Sequence, residues 1–194
     1  MKKFLLTCAF TILFLHNAQG ENYMGNQTLK GETLKDANFL GSATLTDVKA
    51  TTLSVVGGLT FHNLTVENDT NVAGSVIKSK KGTFNDLSVL GKFEATDVTC
   101  KKLEVAGPVV ITGLTVDGIA SIAGPLTLKG PKDPKMGQNK LQSLNVSAEK
   151  ISLENTDIEG DIQVNKALNW LGKAKKQVLQ LKGNTTVKGT ITFE

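Results

Sequence analysis

The feature that most constrains this chain is an apolar–x–apolar triplet that returns every five or six residues. It is clearest from Leu103 to Gly130, which divides into LEVAG, PVVITG, LTVDG, IASIAG and PLTLKG. Triplets begin there at Leu103, Val109, Leu114, Ala120 and Leu126, in steps of 6, 5, 6 and 6. The same register runs back through Val98, Phe93, Leu87, Gly82, Val76, Thr70, Leu64, Leu59, Leu53, Val48 and Ala43. Sixteen triplets supply 32 positions of one facing, and only Thr70, Lys78 and Gly82 among them are not apolar.

Alternation within each triplet is the periodicity of a strand. The Gly or turn-forming residue that follows marks a corner, and the wealth of Val, Ile and Thr agrees with strands. Strands this short do not build a sandwich, whose turns come every eight to twelve residues. Three strands with their corners take 16 or 17 residues, one coil of a triangular solenoid. The expected fold is therefore all-β, a single-chain parallel β-helix, with the right-handed crossover that parallel connections favour.

Coil length then assigns the walls. Leu53, Thr70, Leu87, Leu103 and Ala120 stack on the first. Leu64, Gly82, Val98 and Leu114 line the second, and Ala43, Leu59, Val76, Phe93, Val109 and Leu126 the third. Each coil pairs its backbone with its neighbours and buries a shared apolar column. The regular solenoid spans 43–128, with 21–42 as an N-terminal coil or cap. Pro131 to Lys135 interrupts the pattern, so 129–143 reads as an inserted loop. Less regular coils follow over 144–194, with triplets at Leu144, Ile151, Thr156, Ile162, Leu168, Ala174, Leu179, Thr185 and Ile191. Leu168 to Leu171 is open to a second reading as a short helix.

The first twenty residues read as a secretory signal peptide. Lys2 and Lys3 form a basic start, Phe4 to Leu15 is almost wholly apolar, and Ala18-Gln19-Gly20 offers small residues for cleavage. The apolar run is shorter than the roughly 20 residues a membrane span needs. Cys8 raises lipidation as an alternative, but Thr7 is a poor residue before a lipidated Cys. Cleavage after Gly20 leaves 174 of the 194 residues and no transmembrane helix. The expected address is the periplasm, the outer envelope surface or the exterior of a bacterium.

Removing Lys2 and Lys3 from 22 basic residues leaves 20 against 18 acids, a charge of +2. That balance lacks the clustered basic face that nucleic acids need. Every basic residue is Lys, so the bidentate grip of Arg is missing as well. Cys100 is alone in the mature part and forms no internal disulfide; its register places it inward, as a small hydrophobe. Sequons at Asn26, Asn63, Asn68, Asn145 and Asn184 reflect an Asn- and Thr-rich bacterial composition.

Nothing converges on a reaction. A Ser or Cys nucleophile needs a base within reach, and the mature chain's one histidine, His62, falls at a corner. There is no metal-ligand spacing, and no cofactor motif. Glu94 and Glu104 point outward on different walls. Asp47, Asp69, Asp86, Asp97 and Asp117 sit at corners, where Asp satisfies turn backbone. One outward column is unusual, for Thr65, Thr83, Thr99 and Thr115 form a ladder on the second wall. Thr is a good exposed strand residue, and such a ladder is also a candidate for binding an ordered surface.

The units Leu87 to Gly91, Leu103 to Gly107 and Leu114 to Gly118 resemble those of bactofilins, polymer-forming bacterial proteins with a triangular right-handed β-helix. The resemblance covers Ala43 to Gly130, implies the fold and end-to-end association, and carries no site. The expected function is an exported, non-enzymatic structural, scaffold or adhesin-like solenoid. Its partners would be further copies at its ends and a glycan or envelope component, with no nucleic acid. The alternatives are a polysaccharide-binding or polysaccharide-modifying β-helix, and a binder working through the Thr ladder.

Overall fold

The computed structural model describes residues 20–130, 138–167 and 175–194. The signal peptide read over 1–20 lies outside them except for Gly20, as does the alternative helix over Leu168 to Leu171. The described residues are all-β, with parallel strands stacked as a β-solenoid of about eight turns. In chain order the strands are β1 (Glu21–Met24), β2 (Gln27–Lys30), β3 (Thr33–Leu40), β4 (Ala43–Leu90), β5 (Phe93–Ala106), β6 (Val109–Ala123) and β7 (Leu126–Lys129). They continue as β8 (Asn139–Ser147), β9 (Lys150–Glu154), β10 (Thr156–Ile158), β11 (Ile162–Val164), β12 (Val178–Lys182), β13 (Thr186–Val187) and β14 (Ile191–Phe193). The longest of them turn corners, so one strand contributes to several walls.

The pairing register fixes the coil. Thr33 opposes Lys49, Leu87 opposes Leu103, and Leu103 opposes Ala120, offsets of 16, 16 and 17 residues. The three walls expected from the triplets are the three found. Leu87, Leu103, Ala120 and Leu144 are successive partners on the first. Gly82, Val98 and Leu114 are partners on the second, and Val76, Phe93, Val109 and Leu126 on the third.

Of the 32 positions read as inward, all but Lys78 are buried. There the chain takes one extra residue: the register shifts between Val76 and Ser79, and Lys78 adopts a left-handed φ of 54°. A bulge of this kind re-aims a side chain. It turns Lys78 out to solvent and brings Ser79 into the core in its place. The Ser79 hydroxyl accepts from Phe61 N at 3.0 Å and donates to Ile77 O at 3.2 Å, which satisfies the backbone the bulge disturbs.

Gly82 is inward for a steric reason. A Cβ there would meet the ring edges of Phe84 and Phe61, with Phe61 Cε2 at 2.7 Å. The two rings pack edge to face, 5.5 Å apart at 70°. Thr70 is the third exception and has no such compensation: it is buried and its hydroxyl has no partner among the described residues. An unpaired buried hydroxyl costs stability. Thr70→Val, of nearly the same shape, is expected to raise stability by about 1 kcal/mol, read as a higher melting temperature; a lower one would mean the hydroxyl is satisfied in solution.

The corner between the third and first walls in each coil is smooth because of a glycine column. Gly41, Gly57, Gly74, Gly91, Gly107 and Gly124 have φ between 138° and 155°. A Cβ on any of them would run into the carbonyl of the glycine one coil below. Beside this column the outward partners Met24, Leu40 and Val56, and farther along Leu90, Ala106 and Ala123, make an apolar ridge.

The pairing adds detail at two stretches of the sequence reading. The pairing begins earlier than Ala43: β1 opposes β3, and β2 and β3 oppose β4 in regular parallel register. Tyr23 stacks on Phe39 with centroids 4.6 Å apart, so 21–42 is the first coil as well as a lid on the shaft. The interruption read over 129–143 is narrower. Lys129 ends β7, and 139–143 belong to β8, where Asn139 and Leu141 are buried. Beyond it Leu144, Ile151, Thr156 and Ile162 are buried as their triplets require, while Leu168 and Ala174 lie outside the described residues.

Candidate functional site

The Thr ladder exists as a register. Thr83 opposes Thr99 and Thr99 opposes Thr115, all on the outer face of the second wall. Thr65 faces outward between buried Leu64 and Val66. The next rungs are Lys140 and Asp157, so the hydroxyl column gives way to charge.

The ladder borders a groove of about 280 Å³, completed by Asn63, Lys81, Asp97 and Gln138. Its back is the corner between the third and second walls. There the chain must take a left-handed turn in each coil, and Asp47, Asn63, Lys81 and Asp97 do so with φ of 53° to 58°. Asn and Asp tolerate that conformation best among residues with a side chain. Asn63 Nδ2 donates to Asp47 Oδ1 at 2.9 Å, tying two corners together.

A second groove of about 300 Å³ lies on the third wall, across the same corner. Lys78, Lys80 and Lys129 flank it, Thr96 and Thr112 form its floor, and Glu94 stands inside it. Lys92 Nζ approaches Glu94 to 2.5 Å. That contact holds the Glu94 carboxyl below its ordinary range, with smaller help from Lys129 and Lys78.

The other acids read from the sequence stay apart. Glu104 pairs with Lys102 at 2.8 Å on the first wall. Among the described residues each groove is lined by a single carboxylate, Glu94 in one and Asp97 in the other. A glycosidase pair needs two acids about 5 to 9.5 Å apart across one cleft. His62 is exposed at its corner, and no cluster of three His, Cys, Asp or Glu residues suited to a metal is found among the described residues. No helix among them is long and apolar enough to cross a membrane.

Cys100 is inward and 1% exposed. Burial pushes its thiol up to about 12, with Asp117 and Asp86 adding to the effect. Only the thiolate is nucleophilic. Iodoacetamide at pH 8 should therefore leave the native protein unmodified and label it fully in denaturant; rapid native labelling would place the thiol outside the core. The thiol's folded pKa is raised, so its contribution to stability is intact below the unfolded value near 8.5. It is lost as pH climbs from there toward the folded value.

The sequence reading missed Asn139. Its side chain is fully buried on the second wall, in the column below which Leu114 sits. Oδ1 accepts from Gly113 N at 3.1 Å and Leu114 N at 2.9 Å. Nδ2 lies 3.1 Å from Lys129 O, 3.0 Å from Glu154 O and 3.2 Å from Thr156 Oγ1. The amide thus links backbone of β6, β7 and β9 across the corner. No protein-family model, curated protein or solved structure matches this chain.

Proposed function

We propose that this chain is an exported, non-enzymatic scaffold or adhesin-like protein of the bacterial envelope or exterior, and that it associates with further copies through its ends. One observation carries the reading. In the last coil of the described residues, β12, β13 and β14 each pair on one side only, with β9, β10 and β11. Their inward side chains stay uncovered: Leu181 is 44% exposed, Ile191 37% and Phe193 53%. Open strand edges and apolar side chains together favour a strand partner. The resemblance of the repeat to the polymer-forming bactofilins supports the same reading. The apolar signal-like start supports export.

Light scattering on the chain from Glu21 onward tests the association. A mass that rises above the monomer with concentration, and falls back in Phe193→Glu with Leu181→Glu, is expected. A monomer at millimolar concentration would end this reading. Cell fractionation tests the address, with recovery from the cytoplasm as the contrary result.

A further inference from the structure

We propose that the lysine-flanked groove on the third wall is a binding site for an acidic glycan, a hydroxyl-rich chain bearing carboxylates. Lys80, Thr96, Thr112 and Lys129 are successive strand partners across four coils. With neighbouring strands roughly 4.8 Å apart, the two lysine rungs stand about 14 Å apart with the two threonine rungs between them. Lys78 enters from the side, and Glu94, the only acid among the described residues lining the groove, is engaged by Lys92.

The backbone of this coil departs from its neighbours to present these charges. Among the described residues, every non-glycine residue with positive φ is Asn or Asp except Lys78 and Lys81, at 54° and 55°. Lysine gains nothing from the left-handed region that Asn would not gain more cheaply. Strain held where the local sequence does not favour it points to use of the side chain. Here it sets Lys78, Lys80 and Lys81 on one corner, two facing this groove and one facing the Thr ladder.

The lining selects among anionic polymers. Among the described residues no aromatic ring lines the groove to stack a base. The protein has no Arg for bidentate phosphate contacts. Lysine point charges between hydroxyls suit carboxylates carried on sugar rings. Such binding weakens with salt.

The test uses the chain from Glu21 onward and polygalacturonate, its fully methyl-esterified form and polyphosphate, followed by calorimetry at low and high salt. Binding of polygalacturonate alone is expected, weakened about tenfold in a Lys78→Asn, Lys80→Gln, Lys129→Gln variant. Lys78→Asn by itself should bind more weakly while melting no lower than the parent, since it relaxes the backbone. Failure to bind polygalacturonate, equal binding of the ester or of polyphosphate, undiminished affinity in the triple variant, or a lowered melting temperature in Lys78→Asn would each overturn the proposal. None of these results depends on whether copies associate end to end.

Discussion

Phe84→Ala should destabilise the protein by about 3–5 kcal/mol. The ring is 3% exposed and packs edge to face on Phe61. It occupies the space that Gly82 leaves open, so its removal empties a volume that backbone on three walls prevents from collapsing. The edge-to-face pair adds a further 0.5–1.5 kcal/mol, on the order found for such rings. A urea titration followed by circular dichroism reads the change as a lower midpoint; a loss under about 1 kcal/mol would put the ring outside the core. Gly82→Ala should be costly in the parent and less so beside Phe84→Ala, because one of the two ring edges that its Cβ meets has gone. The two changes share that contact and should be non-additive.

Asn139→Ala is the second large effect. It strips partners from Gly113 N, Leu114 N and Lys129 O at once, while Glu154 O keeps the Thr156 hydroxyl. A buried backbone group left unpaired costs about 1–3 kcal/mol. Even with water reaching one of the three, a loss of about 3 kcal/mol follows. Asn139→Asp keeps the acceptor and loses the donors, so it should fall between the parent and Ala at neutral pH. Equal melting temperatures for parent and Asn139→Ala would show that the corner is hydrated and the amide idle.

These two sites mark where the sequence could be read and where it could not. Phe84 and its wall were legible because inward residues repeat at a fixed interval, and one phase error would have sent every later side chain outward. The phase failed at Lys78, where a single extra residue shifted the facing and recovered it at Gly82. Spacing alone does not say which of Lys78 and Ser79 turns in. Packing does, since a hydroxyl can be satisfied by Phe61 N and Ile77 O while a buried ammonium has no anion there.

Asn139 was hidden for a different reason. It follows a Pro- and Lys-rich break, and nothing local separates an Asn in a loop from an Asn that repairs the coil. Its partners come from 10 to 26 residues away. The Thr ladder was legible as a column, but its groove was not, because the groove depends on left-handed corners that Asn63 and Asp97 share with Lys81. The lysine trough was also hidden: Lys80 and Lys129 are 49 positions apart and come to line one groove only through three coil offsets.

The one-sided pairing of β12, β13 and β14 has a kinetic consequence. In a stack where each layer touches only the next, opening begins at the layer with one neighbour and travels inward. Backbone amides of residues 178–193 should then exchange with deuterium soonest, and those between Leu87 and Val116 last. The Tyr23 lid over Phe39 should slow the same process at the other end, making the protein unzip in one direction.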